Sequence, residues 1–421
     1  MTSTPPAGTP RGGHPGPLAG LRVIDMSTSY AGPTAAMYLA DLGADVVKVE
    51  RPRTGDDART WGPPFVDGES AWFASANRNK RSIALDVASP AGRDVLDRLL
   101  ASADVFIQNV LPSKLERLGL VPEAVLDRHP HLIYCAMSGF GIDGPARDQP
   151  GYDLAAQARS GLMSVTGAKG GSPQRVSTAL SDIVTGMCAA LAISAAVVRQ
   201  RAEGVGEIID VSLLDSDLAL MAPRIASFLA GDPEPAPSGG TDSVLAVYQT
   251  FPTADREIVV AIGNDAMWRR FCTAIGLDQL AADPALATND GRRRDRARIT
   301  EQIATVLVTR PALEWTSLLA GAGVPTSLVQ SLGEVVADPQ VVARDSVLPV
   351  PGTPGLNGVR SPFRLRSIPQ PRNERFPQLG ADSVDVLAEL GLSPDEIGSL
   401  TEAGTVGAPP VDSRGNATDG Q

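Results

Sequence analysis

Between Leu21 and Glu50 the chain runs strand, helix, strand, and this unit limits what the rest can fold into. Leu21–Met26 is an apolar, β-branched run, Pro33–Leu42 has helical spacing, and Asp45–Glu50 returns to a strand ending in an acid. Two short strands joined through a helix pair in parallel by a right-handed crossover. Glu50 stands where a dinucleotide-binding unit holds a ribose. The turn STSYAGP, however, has no GxGxxG with which the backbone could approach a pyrophosphate. That absence, and Arg51 directly after Glu50, argue against a dinucleotide-dependent dehydrogenase.

The same alternation continues. NRNKRSIALDV opens a strand through basic residues. A helix over 91–102, the strand 104–110, two helices broken by Pro122 and the strand 132–138 follow. This is the α/β pattern with a parallel sheet. The loop 139–153, dense in Gly, Pro and Asp, is long enough to expect a function. A second glycine-rich loop, TGAKGGSP, precedes the apolar stretch 183–198, which is expected to be a buried helix too short to cross a bilayer. GDPEPAPSGGTDS is a credible linker, and VYQTFPTADREIVVAIGND has the alternation of a hairpin. The expected organisation is a disordered leader (1–16), a large domain (17–230 and 325–400), a smaller α+β domain (231–324) and a disordered tail (401–421).

Composition narrows the function. A net charge of -11 over 421 residues disfavours nucleic acid and anionic membranes as general partners. Cys135, Cys188 and Cys272 are far apart and form no CxxC, which fits a reducing cytoplasm and argues against zinc, iron–sulfur or disulfide frameworks. With only His14, His129 and His131, a histidine triad or a His-rich metal site has little material. No metal is expected. An anionic ligand would need a local basic cluster. Lys48, Arg51, Arg53, Arg59, Arg78, Lys80, Arg81, Lys114 and Arg117 fall at strand ends or in the loops after them, where they would gather around one polyanion.

Seven blocks in order, PLAGLRVIDMSTSYAGP, LGADVVKVERPRTGDDAR, NRNKRSIALDV, ADVFIQNVLPSKLERLGL, LIYCAMSGFGIDGP, GYDLAAQARSGLMSVTG and GEIIDVSLLDS, resemble the class III CoA-transferases, the group that includes formyl-CoA transferase and α-methylacyl-CoA racemase. The resemblance implies an interlocked homodimer whose large domain is Rossmann-like. It also implies that coenzyme A, as an acyl-CoA substrate and not a tightly bound cofactor, is the ligand of the opening unit, with a small carboxylic acid as second substrate. By the same matching, Tyr30, Ala31, Arg51, Leu85, Asn109, Val110, Leu111, Arg117 and the turn Ser138, Gly139, Phe140, Gly141 would line the CoA groove.

The chain departs from that family at the nucleophile. Transferases that it resembles attack the donor thioester with an aspartate in a context like TGxxDGPP; here the loop is Thr166 to Pro173 and the position holds Gly170, with no carboxylate from Thr166 to Leu180. The histidine of the racemases is replaced by Tyr152, whereas their second residue is kept as Asp182. Asp182 and Asp153 are the remaining catalytic candidates, Asp182 leaning to chemistry and Asp153 to positioning. Lys169 offers a cation to a substrate carboxylate, a solvated loop lysine being the plainer account. Asp215 and Asp217 have an ordinary explanation as acids in a helix's first turn. Trp61 and Trp72 are candidates to cover an acyl chain. The expectation is CoA transfer between an acyl-CoA and a free acid. The alternatives are an acyl-CoA isomerase, epimerase or dehydratase using Asp182 or Asp153, or a silent CoA-binding subunit paired with an active paralogue.

Overall fold

A computed structural model of the chain describes residues 16–351, 353–368 and 376–407. All of the expected leader except Gly16, and the tail from 408 onward, lie outside them. The chain divides into two units, one of residues up to 160, 176–223 and from 345 on, the other of 161–175 and 224–344.

The larger unit is built on six strands, Arg22–Asp25, Asp45–Glu50, Arg81–Ala84, Val105–Gln108, Ile133–Ser138 and Glu207–Ser212. Numbered in that order they lie 3-2-1-4-5-6 across the sheet, and every pair is parallel. This is the doubly wound order. Successive side chains of a strand face opposite sides, and the cores divide accordingly. Val23, Val46, Val105, Ile133, Cys135 and Met137 pack under the helices Ala31–Asp41 and Leu180–Glu203. Ile24, Val47, Ile83, Phe106, Tyr134 and Ala136 pack under the helices Pro90–Ala101 and Ser383–Glu389. Cys135 is an inert core thiol, pushed up to about 12 by burial.

Three expectations change here. The apolar stretch lies in a helix of 24 residues, Leu180–Glu203, long and apolar enough by length and composition to cross a membrane. Ala189, Ile193 and Val197 nonetheless fill the core beside the opening helix, where Gly186 lets the backbones meet: a Cβ there would stand 2.8 Å from the Ala31 carbonyl. Nor is it buried all round, since Met187, Leu191 and Val198, a single stripe at helical spacing, are exposed. Finally, residues 401–407 are ordered. The Asp86 N–H donates to the Thr405 carbonyl (2.8 Å), the Gly407 N–H to the Ala84 carbonyl (2.9 Å), and Val406 bridges Leu85. This strap pairs with the open backbone just past the edge strand Arg81–Ala84, which would otherwise invite pairing with another chain.

The smaller unit holds the expected hairpin, Tyr248–Pro252 with Glu257–Ala261, extended by Thr326–Leu328 into a three-stranded antiparallel sheet. Trp268, Phe271, Ile303, Trp315 and Leu319 fill its core from the covering helices. Because Thr326–Leu328 pairs here, the chain leaves this unit only at 344, later than the expected 324. The glycine-rich loop 161–175 joins it as well, with the Gly239 N–H donating to the Gly167 carbonyl (3.0 Å).

Candidate active site

Strand order reverses between Arg22–Asp25 and Val105–Gln108, and ligands of open α/β sheets bind in the crevice beyond the strand ends at such a switch point. The two loops leaving these strands are tied together there. The Thr28 N–H donates to Asn109 Oδ1 (3.0 Å), and Asn109 Nδ2 donates back to the Thr28 carbonyl (2.8 Å). Ser29 is in the left-handed region (φ 72°), a cost for a residue with a side chain. Its N–H donates to Asp56 Oδ1 (2.9 Å), which helps to hold the turn.

Beneath the turn lies a buried charge network. Lys48 Nζ, with no exposed side-chain surface, pairs with Asp56 (2.9 Å), donates to the Ser27 carbonyl (2.8 Å) and stands 4.0 Å from Asp25. Lys80 Nζ donates to Asp25, to the Pro33 carbonyl and to Asn77 Oδ1, each at 2.9 Å. Burial opposes the charge on Lys48, but Asp25 and Asp56 outweigh it and keep its pKa above the usual lysine value. Lys80 goes the other way, lowered to about 8 by burial that Asp25 only partly offsets.

This corrects the expected cationic groove. Lys48 and Lys80 are buried ion pairs, Arg59 is spent on Glu50 (2.7 Å), Arg78 on Asp41 (2.5 Å), and Arg81 on Asp45 and Glu389. Arg51, Arg53, Lys114 and Arg117 remain exposed. Arg51 still pairs with Asp57 at the surface, and Arg117 lies on a second crevice between the helices Pro90–Ala101 and Pro112–Leu118.

A cavity of about 60 Å³ opens at the switch point, and it gathers Asp182 and Tyr152 with Thr28, Ala31, Asn109, Ser138 and Gly139. The loop 139–153 contributes through a close backbone contact: a Cβ on Gly139 would lie 2.7 Å from Gly151 Cα. Ser138 Oγ accepts the Gly141 N–H (2.8 Å), and the Phe140 ring carries the Arg159 guanidinium at 4.6 Å. Val110 and Leu111 follow Asn109 at the partly exposed rim. Tyr30 donates or accepts at Ser75 Oγ (2.8 Å) and meets Trp72 edge-on at 5.5 Å, Trp72 in turn meeting Trp61 at 6.3 Å, so these aromatics form one partly exposed cluster. Leu85 is elsewhere: its side chain is 1% exposed inside the second core, so it lines no groove.

Three carboxylates meet at the start of the long helix, and each is used differently. Asp153 is the first residue of its own helix, Asp153–Arg159, yet it caps a different one. Its Oδ2 accepts the N–H of Ser181 (2.8 Å) and of Asp182 (3.4 Å), and its Oδ1 accepts Gln157 Nε2 (2.6 Å). Asp217 is buried and lies beyond the first turn of its helix, Leu213–Leu229, where Asp215 is the first-turn acid. Its Oδ2 accepts the Ser181 hydroxyl (2.8 Å) and Oδ1 has no partner among the described residues. Helical spacing from Leu213 through Asp217 to Met221, all buried, was the available signal for that inward face. Among the described residues no hydrogen bond engages the Asp182 carboxylate. Burial pushes it up to about 7, and the charges of Asp153 and Asp217 push the same way. A carboxyl that loses its proton near neutral pH and faces a cavity is suited to act as nucleophile or base.

Gly170 occupies the tip of a turn in which the Gly171 N–H donates to the Ala168 carbonyl (2.8 Å). Its φ of 71° makes it the third residue of a type II turn, where glycine is favoured. No atom lies within 4 Å of where its Cβ would be, so the glycine answers to backbone conformation and not to crowding.

Comparison with known proteins identifies the family. The model of CoA-transferase family III matches residues 18–383. The succinate–glutarate CoA-transferase of Agrobacterium fabrum is 38% identical over 89% of this chain and 96% of its own length. The human succinyl-CoA:glutarate CoA-transferase is 37% identical over 93% of this chain and 90% of its own. A crystal structure of a CAIB/BAIF family protein from Brucella suis superposes with a TM-score of 0.78 at 36% identity, covering 89% of this chain and 99% of that one. The chain belongs to CoA-transferase family III.

Proposed function

We propose that this protein transfers CoA between the thioester of a small dicarboxylic acid and a free carboxylic acid, with Asp182 as the attacking carboxylate. The observation that carries this is the Asp182 side chain: without a hydrogen-bond partner among the described residues, facing the switch-point cavity, and with its pKa brought near neutrality by burial. The carboxylate attacks the donor carbonyl, the C–S bond breaks, and CoA leaves as thiolate from a mixed anhydride. The thiolate attacks the aspartyl carbonyl, releases the donor acid as its carboxylate, and leaves Asp182 as a CoA thioester. The acceptor carboxylate repeats both steps in reverse. Asp153 and Asp217 act on Asp182 through their charge, and Asp153 also caps the helix that presents it.

The substrate class is supported by relatives named for succinate and glutarate. CoA would run from the cavity past Tyr30, Val110, Leu111 and the turn Ser138–Gly141, with exposed Arg51 and Arg117 available to its phosphates. The exposed stripe Met187, Leu191, Val198 supports burial against a second copy, as an interlocked dimer requires. A cytoplasmic setting is supported by three unpaired cysteines.

A second reading uses Asp182 as a base on the α-carbon of an acyl-CoA; Gly170 at the usual nucleophile position favours it, while Tyr152 on the cavity wall, in place of the racemase histidine, limits it. Intact-mass analysis after incubation with succinyl-CoA separates the two. Transfer by Asp182 gives an adduct of CoA less water, absent in Asp182→Asn. Proton abstraction gives no adduct and carries solvent deuterium onto the α-carbon. Neither signal would refute both.

A further inference from the structure

The smaller unit contains a cavity of about 620 Å³ that the reaction above does not use. Its walls bring together Lys169 from the glycine-rich turn and Arg293, Arg294 and Arg296 from two successive helices. A chain of net charge -11 has no general reason to collect four cations on one concave surface.

Their partners show which charges are spent. Arg294 pairs with Asp290 on its own helix (2.5 Å). Asp242, the one acid of the lining, accepts the N–H groups of Val244 and Leu245, both at 2.7 Å, and faces Arg224 at 3.9 Å. Lys169 and Arg293 have no ion-pair partner among the described residues. Arg296 donates through Nη2 to the Leu245 carbonyl, while its Nε is buried with no acceptor among the described residues. A buried donor without an acceptor costs about 1–3 kcal/mol, and an anion oxygen in the cavity would remove that penalty. Burial lowers the Arg296 pKa and the Arg293 charge lowers it further, so these two cations repel one another. Thr241 and Gln249 add neutral donors to the same wall, while the Thr300 hydroxyl there donates to the Arg296 carbonyl (2.8 Å).

We infer that this cavity binds a small polyanion carrying two or more carboxylate or phosphate groups, with Lys169, Arg293 and Arg296 as the charge-bearing contacts. One anionic group is met by Arg296 and Arg293 together, the other by Lys169. Monoanions lack the second contact and bind weakly. Binding stiffens the glycine-rich turn, because Lys169 is an inner residue of that turn.

The test is calorimetric titration of the full chain at low and at moderate salt with three probes: glutarate, inorganic pyrophosphate and adenosine 3′,5′-bisphosphate. Saturable binding of at least one is expected, with acetate weak in the same buffer. Arg293→Ala and Lys169→Ala should each weaken it roughly tenfold, the value of one charge-assisted contact. Which probe binds tightest separates a free dicarboxylic acid from a phosphate source. The Arg296 guanidinium chemical shift, followed by NMR with and without the probe, reports the new acceptor at Nε. Equal affinity in both variants, or no saturable binding to any of the three, overturns the inference. The readout is binding alone, so it stands or falls apart from Asp182 and CoA exchange.

Discussion

Asp182→Asn should make the protein more stable at alkaline pH even as it removes the proposed chemistry. The ordinary aspartate value is 3.8, and in the folded chain Asp182 holds its proton up to about 7. Between these values the folded state binds a proton that the unfolded state has already released. Stability therefore falls as pH rises through that window, and the full penalty applies above it. At 1.36 kcal/mol for each pH unit of that interval, the penalty at pH 8 is roughly 4 kcal/mol as an upper figure. An asparagine there is uncharged but must leave amide hydrogens poorly bonded, which costs about 1–2 kcal/mol. The net gain at pH 8 is roughly 2–3 kcal/mol, an increase of several degrees in Tm. At pH 4 the native aspartate is protonated in the folded state, so the gain should vanish or reverse. Calorimetric unfolding of both proteins from pH 4 to pH 8 measures this. A variant less stable than the parent at pH 8, or a difference that does not change with pH, would refute the argument that burial and neighbouring acids hold Asp182 near neutrality.

Other substitutions probe the supporting structure. Asp153→Asn removes the larger of the two charges that raise Asp182, so the pH midpoint of CoA exchange should move to lower pH while exchange at pH 8 persists; a pH–rate profile reads the shift. Lys48→Met leaves Asp56 buried without its cation and should destabilise by about 3–5 kcal/mol in urea unfolding. Gly139→Ala puts a Cβ 2.7 Å from Gly151 Cα, so the two backbones must move apart, and it should cost about 1–3 kcal/mol with a matching loss of CoA exchange. Gly170→Asp meets no neighbour and costs only the left-handed penalty of about 1–2 kcal/mol, visible as a small fall in Tm with the fold intact.

The sheet was legible because its signal is local. Each strand is a short apolar run bounded by turns, and alternation with helices leaves few topologies. Asp182 was legible for a similar reason, standing at the head of an apolar helix. The roles of the strand-end cations were not, because burial is decided by partners remote in the chain. Asp25 meets Lys80, Asp41 meets Arg78, and Glu389 reaches back to Arg81. The ordered strap 401–407 was missed on the same grounds: its composition is that of a tail, and only the exposed edge at Ala84–Asp86 gives it a place. Asp153 shows the limit of capping rules, since the acid at the start of one helix spends its carboxylate on the start of another.

The most direct test of the account is CoA exchange by mass spectrometry, with succinyl-CoA as donor and glutarate as acceptor, for the natural chain, Asp182→Asn and Gly170→Asp side by side. Exchange by the natural chain that falls by at least about 10⁴-fold in Asp182→Asn is the predicted result. Unchanged exchange in Asp182→Asn, or exchange only in Gly170→Asp, would contradict Asp182 as the attacking carboxylate.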